Sequence, residues 1–186
     1  MKLSNLSIKS KLVSIVILSV VLLVMASTFN LMQQRASSME ERQDKLSAQV
    51  ETAVSLAQHY YDQRNVLGEE TAKKQALQAI ETLRYDSTNY FWILNQQLNI
   101  ISHPLKPELN GKNAANLRDG AGKYHWREMV TISQTAQQKG FLDYQWKSPN
   151  GELKDKISYV QLFPEWNWVL GSGILVADIQ DAFYAL

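Results

Sequence analysis

The segment that decides the fold is residues 141–176, which read FLDYQWKSPNGELKDKISYVQLFPEWNWVLGSGILV. Three stretches of it are rich in aromatic and branched residues, and they predict strands over Phe141–Lys147, Leu153–Phe163 and Trp168–Val176. Ser148-Pro149-Asn150-Gly151 and Pro164-Glu165-Trp166-Asn167 lie between them and are typical turn sequences. Because both turns are short, successive strands are expected to be antiparallel neighbours.

Further elements are predicted upstream of this segment. Asn89–Leu94 is dense in aromatic and branched residues, and Leu98–Ser102 returns after a polar turn. His103–Gly111 contains two prolines and a glycine, so we expect a loop without regular structure, followed by a helix over Gly122–Gln138. The chain is thus predicted to be an α+β protein with an antiparallel sheet of about five strands.

The N-terminal region has the composition of a membrane anchor. Leu12 to Gln34 is a run of 23 residues without a formal charge, and Lys2, Lys9 and Lys11 precede it. As a helix this run reaches about 34 Å, which is enough to cross a hydrocarbon core of about 30 Å. The lysines predict a cytoplasmic N-terminus (1–11), a transmembrane helix (12–34) and an extracytoplasmic remainder.

Two other readings of this run stay open at the level of sequence. A cleaved secretory signal also has a basic start and an apolar middle, but here Ala26 and Ser27 lead into Thr28 and Phe29 without a clean cleavage pattern. A core helix of a soluble protein would need partner surfaces on all sides. An uncleaved anchor is therefore the interpretation that we favour.

Two amphipathic helices are predicted after the anchor. Residues 33–65 contain no glycine or proline, and apolar side chains recur three or four residues apart. Gly68 interrupts this pattern, and the pair Glu69 and Glu70 suits the first turn of a second helix, which continues to about Arg84. We expect the long helix to pack on the sheet. A homodimer through Gln33–Asn65 is plausible, because an amphipathic helix that leaves a membrane often pairs; the alternative is that its own sheet uses the whole apolar stripe.

Composition excludes several classes of protein. The 186 residues carry 19 cations and 18 anions, so no basic field indicates nucleic-acid binding. Cysteine is absent, which excludes thiol nucleophiles and cysteine metal sites. The histidines His59, His103 and His125 are scattered, and no phosphate-binding loop or metal-ligand pair is evident, so neither a catalytic residue nor a cofactor is predicted.

Five segments in order carry a resemblance to a known family. They are Tyr90–Ile93, His103–Lys112, Gly140–Trp146, Lys156–Val160 and Trp166–Ile174. In this order and spacing they resemble the single Cache domain (type 2) of bacterial chemoreceptors and sensor kinases, over about residues 35–180. The resemblance implies a PAS-like periplasmic sensor domain anchored in the bacterial inner membrane. It also implies a short carboxylic acid as ligand and a signal carried to a second transmembrane helix, whose start we place at 181–186.

A carboxylate site can be sought among the residues themselves. A small carboxylate needs a fixed cation or several donors, together with apolar walls. The residues that combine these properties are Tyr90, Trp92, His103, Tyr144, Trp146 and Lys156. Lys156 and Tyr159 lie on opposite faces of an unbulged strand, so Tyr159 is assigned to the core. Alternatively, the aromatic residues are simply core, His103 is structural, and Lys156 pairs with Asp143 or Asp155.

Three functions therefore remain open. The first is a small-molecule sensor of a chemotaxis receptor or of a histidine kinase, which signals by helix displacement. The second is a membrane-tethered periplasmic module that binds a protein partner and no small molecule. The third is a periplasmic enzyme, for which the sequence offers no arrangement of residues.

Overall fold

A computed structural model describes residues 7–86, 88–148 and 150–177. The helices in these ranges are α1 (Ile8–Asp62), α2 (Arg64–Leu67), α3 (Glu69–Thr82) and α4 (His125–Ser133). The strands are β1 (Arg84–Tyr85), β2 (Asn89–Asn95), β3 (Ile100–Ser102), β4 (Lys139–Lys147), β5 (Leu153–Phe163) and β6 (Trp168–Leu175). Short 3₁₀ turns occupy Pro107–Leu109 and Pro164–Trp166.

The chain divides into two compact units, residues 1–41 and 42–186. In the described part of the first unit, α1 carries exposed apolar side chains from Leu12 to Met32. By length and composition, α1 is the one helix among the described residues that could cross a membrane. The boundaries of the anchor and of the other segments remain predictions, and the segment 181–186, predicted to lead toward a second transmembrane helix, lies outside the described residues.

In the second unit, the strands form one antiparallel sheet in the order β1-β2-β6-β5-β4, and β3 pairs with β2. The α+β class and the antiparallel pairing of β4, β5 and β6 confirm the prediction from the turn sequences. The sheet has six strands where we expected about five. The additional strand, β1, is only two residues long, which is too short to show a period in the sequence.

Helices cover both faces of the sheet. On the face that we call the helix face, α1 buries Leu46, Val50, Ala53 and Ala57, and α3 buries Ala72, Ala76 and Ile80. The other face, which we call the cage face, is covered by α4 and by the segment between β3 and α4, and its core includes Trp126 and Met129. Alternation along the strands sends successive side chains to the two faces, so β5 contributes to both cores.

Three helix and loop predictions need correction. The predicted helix over Gly122–Gln138 is shorter, His125–Ser133, because Asp119 holds the preceding residues in a turn by accepting the N–H groups of Ala121 and Lys123. Helix α1 ends at Asp62 rather than Asn65, and Gly68, with φ of 84°, separates α2 from α3. The loop after His103 does contain a regular turn, the 3₁₀ helix at Pro107–Leu109.

Candidate functional site

Lys156 lies on the cage face. Its side chain projects from the first half of β5, and the residue is 3% exposed. None of the four ion pairs found in the described ranges includes it, so the alternative in which it pairs with Asp143 or Asp155 is not what the structure shows. A buried ammonium without a carboxylate partner is unfavourable, and such a group is either neutralised or matched by a bound anion.

Three aromatic rings enclose this ammonium. The Nζ atom lies 4.7 Å from the centre of the Tyr90 ring, 4.9 Å from Trp92 and 4.7 Å from Trp146. It also donates a hydrogen bond of 3.2 Å to the Tyr90 hydroxyl oxygen. Ring faces partly compensate the charge by cation–π attraction, but they leave the ammonium's other protons available.

His103 completes the enclosure from the loop side. Its ring is stacked on Trp92 and on Trp146, with centroid distances of 6.2 Å and 5.4 Å, and the residue is 1% exposed. The backbone N–H of Lys106 donates to its Nδ1 at 3.1 Å, so the neutral ring carries its proton on Nε2. Burial, followed by the charge of Lys156, lowers the pKa of His103 to about 3, and His103 is therefore a neutral donor at pH 7.

Two glycines of β6 make room for this cluster. A Cβ atom on Gly171 would lie 2.7 Å from the indole nitrogen of Trp92, and one on Gly173 would lie 2.7 Å from Cε of Lys156. Both distances are far below van der Waals contact. The two glycines of Gly171-Ser172-Gly173 thus allow the close approach of side chains from β2 and β5.

Tyr144 belongs to a neighbouring group. Its hydroxyl oxygen accepts a hydrogen bond of 3.3 Å from Ser158, and its ring is stacked on His125 at 4.7 Å. Burial raises the pKa of Tyr144 and lowers the pKa of His125 to about 4, so both groups are neutral at pH 7. Five of the six predicted site residues therefore lie together in a cluster that we call the cage: Tyr90, Trp92, His103, Trp146 and Lys156. The sixth, Tyr144, lies beside it. Their role in binding a ligand remains a prediction.

Sequence reasoning missed several members of the cluster. His125 was treated as scattered, although His125 and Met129 share the buried side of α4 with Trp126 and Val130. That four-residue spacing was visible in the sequence. Lys106 and Ser158 carried no comparable signal, because the contacts that bring them here join distant parts of the chain.

The polar groups of the cage are donors. They are Nζ of Lys156, Nε2 of His103, the Tyr90 hydroxyl and Nε1 of Trp92, which is buried and has no hydrogen-bond partner among the described residues. Burial, followed by repulsion from Lys106, lowers the pKa of Lys156 to about 7. Such an arrangement suits a small anion. In the described ranges, no three His, Asp or Glu side chains are grouped so that they could hold a metal ion.

A buried cage of donors between a PAS-like sheet and a covering loop defines a sensory domain of the Cache class. The family model for Single Cache domain 2 matches residues 38–186, so the chain belongs to that family. The order and spacing of the five segments had predicted this membership, and it is confirmed.

Two curated relatives are chemotaxis and signalling proteins. The chain is 34% identical over 184 residues to methyl-accepting chemotaxis protein McpP of Pseudomonas putida, covering 97% of this chain and 34% of McpP. It is 30% identical over 128 residues to sensor histidine kinase MctS of Rhizobium johnstonii, covering 68% of this chain and 27% of MctS. The chain thus spans about a third or less of the length of these relatives.

Two solved structures are similar to this chain over 74% of its length. One, the periplasmic sensor domain of a chemotaxis protein, has a TM-score of 0.71 and 35% identity, covering 74% of this chain and 97% of that structure. The other, a Cache chemosensory domain studied for carboxylic acid recognition, has a TM-score of 0.70 and 34% identity, covering 74% and 95%. Both structures are chemosensory domains, and the role of such a domain is sensing.

Proposed function

We propose that this chain is the sensing part of a chemotaxis receptor, and that it binds a short-chain carboxylate in the Lys156 cage on the periplasmic side of the inner membrane. The observation that carries the proposal is the buried ammonium of Lys156, which has no carboxylate partner in the described ranges and lies near the unpartnered indole N–H of Trp92. A carboxylate would supply the missing negative charge and accept from several of these groups at once. Carboxylic acid recognition in a similar Cache domain supports the proposal.

The enclosure favours a small ligand. Three rings lie within 5 Å of Nζ, and His103 closes the remaining side, so a long chain could not enter without displacing an aromatic residue. We therefore expect a carboxylate with few carbons, whose alkyl part contacts the indole and phenol rings.

Signalling would proceed through α1. This helix begins in the apolar segment at Ile8 and ends at Asp62, and its later half packs on the helix face of the sheet. A ligand that draws the cage residues together favours one position of the sheet relative to α1, to the extent of its differential affinity for the two positions. A homodimer through residues 33–65 is part of the same proposal, as is the anchor at 12–34.

The test is thermal unfolding of the full chain in lipid nanodiscs against mono- and dicarboxylic acids of two to five carbons, amino acids and purines. An acid at 100 times its dissociation constant adds about 2.7 kcal/mol to the free energy of unfolding. Lys156→Met should abolish that shift, whereas Lys154→Met, the same change two residues earlier on β5, should keep it. A chain that no acid stabilises would contradict the proposal and favour the interaction module.

A histidine kinase is the second candidate output, because the similarity to MctS extends over 68% of this chain. Sensor domains of both classes present the same fold to the periplasm, and the difference lies in the cytoplasmic segments to which they are joined. Residues 1–186 would be joined through a transmembrane helix to a cytoplasmic chemoreceptor signalling domain or to a kinase domain. A carboxylate response in only one of the two fusions would identify the output that this sensor drives.

A further inference from the structure

A cleft adjoins the cage on the outer side of Trp146. Its volume is about 520 Å³, and it shares Trp146 with the cage and borders His125 and Trp126 as well. Leucines from three segments give it apolar walls, namely Leu109, Leu117 and Leu153. The cleft is open to solvent, and the buried Trp146 side chain separates it from Lys156. Lys156 also lines a second open cleft of about 440 Å³, on the side of Asp155 and Val176, which is the alternative route to the cage.

Two ammonium groups contact the ring of Trp146. Nζ of Lys106, in the cleft, lies 3.9 Å from the centre of the Trp146 ring, and Nζ of Lys156, in the cage, lies 4.7 Å from it. No ion pair of the described ranges includes Lys106. Its backbone N–H is the group that holds His103 in its tautomer, so a movement of Lys106 also reaches the cage.

The other charged groups of the cleft include two that are already engaged. Arg118 is stacked on Tyr124 and donates to the carbonyl of Gly122. Asp119 accepts backbone N–H groups from Ala121, Lys123 and Gln145, and these bonds outweigh the effect of burial and lower its pKa. Glu108 also lines the cleft and attracts the Lys106 ammonium, but the two form no ion pair in the described ranges, so this ammonium is still available to an anion from solvent.

The two sides of the cleft are attached to β4 by different kinds of contact. The segment around Asp119 is bonded to the edge strand β4, through the N–H of Gln145 at 2.9 Å and from Lys123 to the carbonyl of Asp143 at 2.7 Å. The segment that carries Lys106 meets β4 through side-chain contacts on Trp146, namely the cation–π contact of Lys106 and the stacked ring of His103. A rearrangement of these side chains would open the Lys106 side without breaking a hydrogen bond to β4.

We propose that this cleft is the vestibule through which a carboxylate reaches the cage, and that Lys106 is the outer cation that attracts the anion and releases it past Trp146 to Lys156. The inference rests on the proposed function. Lys106 then acts on the rate of binding rather than on the final complex, in which Lys156 holds the charge. Long-range attraction by a single cation raises association rates and is weakened by salt.

The test is stopped-flow tryptophan fluorescence of the full chain in nanodiscs, with sodium acetate and sodium propionate as probes at low and high salt. Lys106→Met should lower the association and dissociation rates together, by at least about threefold at low salt, and leave the dissociation constant within about twofold. Lys106→Arg keeps the charge and should keep both rates. Lys147→Met removes a lysine of the same cleft that has no contact with the Trp146 ring, and should change the rates less.

Three results would overturn the inference. If Lys106→Met weakens the dissociation constant through faster release alone, Lys106 is a ligand contact and not an outer cation. If Lys147→Met slows binding as much as Lys106→Met does, only the general charge of the surface matters. Unchanged rates in Lys106→Met would mean that the carboxylate takes another route. Failure of the proposed function looks different, because the wild-type chain then shows no binding to the probes.

Discussion

The two faces of the sheet are built from the same strands and differ in how their charged groups are matched. On the helix face, Lys45 pairs with Asp86 at the rim, and Ser172 bonds the hydroxyl of Tyr85 and the carbonyl of Tyr90, both at 2.7 Å. Gln161, which alternation places on this face, has a buried side-chain oxygen without a partner among the described residues, but it is uncharged. On the cage face, Lys156 has no carboxylate partner and the Trp92 indole N–H has no acceptor in the described part of the chain. The helix face has the composition of a stabilising core, and the cage face that of a binding site.

The largest effect is expected from Lys156→Met. The change removes the unpaired buried charge, so the ligand-free protein should gain on the order of 1 kcal/mol or more in free energy of unfolding. Carboxylate affinity should fall at least about 100-fold, since the ligand loses its counter-charge in a buried site. Thermal unfolding and calorimetric titration measure the two quantities. A variant that is less stable and still binds would show that Lys156 belongs to the structure rather than to the site.

Carboxylate affinity should depend on pH above 7. Burial lowers the pKa of Lys156 to about 7 in the ligand-free protein, and only the ammonium form matches a carboxylate. Affinity should therefore fall up to about tenfold for each pH unit above 7. The unfolded chain binds more protons through this lysine between pH 7 and its ordinary pKa of about 10.4, so the Lys156 contribution to stability should rise with pH over that window.

Lys156→Arg is the control for this prediction, because an arginine stays charged throughout the range. The difference in pH dependence between the wild type and this variant isolates Lys156 from other titrating groups. If calorimetric titrations show that carboxylate affinity falls equally with pH in the two proteins, the pH dependence arises from a group other than Lys156.

Two adjacent residues of β6 allow a matched comparison of the faces. Gly171→Ala places a methyl group against the Trp92 indole, so we expect a loss of about 1–3 kcal/mol in free energy of unfolding together with weaker carboxylate binding. Ser172→Ala leaves Tyr85 and the Tyr90 carbonyl without their partner, with a loss of about 1–3 kcal/mol and little change in affinity. Chemical denaturation with and without acetate measures both. Equal losses of affinity would mean that the two faces do not have separate roles.

The smallest effect is expected from Asp86→Asn. The ion pair with Lys45 is half exposed, at 53% and 45%, and such pairs contribute little. The positive φ of Asp86 also suits asparagine. The melting temperature should stay within experimental error of the wild type. A shift of several degrees would show that the Lys45–Asp86 ion pair contributes more to the free energy of unfolding than a half-exposed ion pair is expected to contribute.

Much of the fold could be predicted because its decisive signals are local. The turns at 148–151 and 164–167 set the pairing of β4, β5 and β6 without help from distant residues. By contrast, β1 is too short for a pattern, and the start of α4 depends on the hydrogen bonds of Asp119 with backbone groups up to Gln145. Such tertiary contacts leave no period in the sequence.

The candidate site could be predicted in its residue types and only in part in its arrangement. Alternation placed Tyr90 with Trp92 and Tyr144 with Trp146, and it separated Lys156 from Tyr159. Whether Lys156 met an aspartate or an aromatic cage depended on which strands are neighbours, and β6 separates β2 from β5. The two glycines of β6 allow the side chains of Trp92 and Lys156 to approach across it, and this is visible only in three dimensions.

The most direct test of the central claim is an NMR titration of the lysine side chains, with ¹³Cε labelling and Lys156→Arg for assignment, in the presence and absence of short carboxylates. We predict that the Lys156 side chain titrates with a pKa near 7 because it is buried, and that this pKa increases when a carboxylate binds. A Lys156 signal that titrates near the ordinary lysine pKa, or whose pKa is unchanged by every acid, would contradict it.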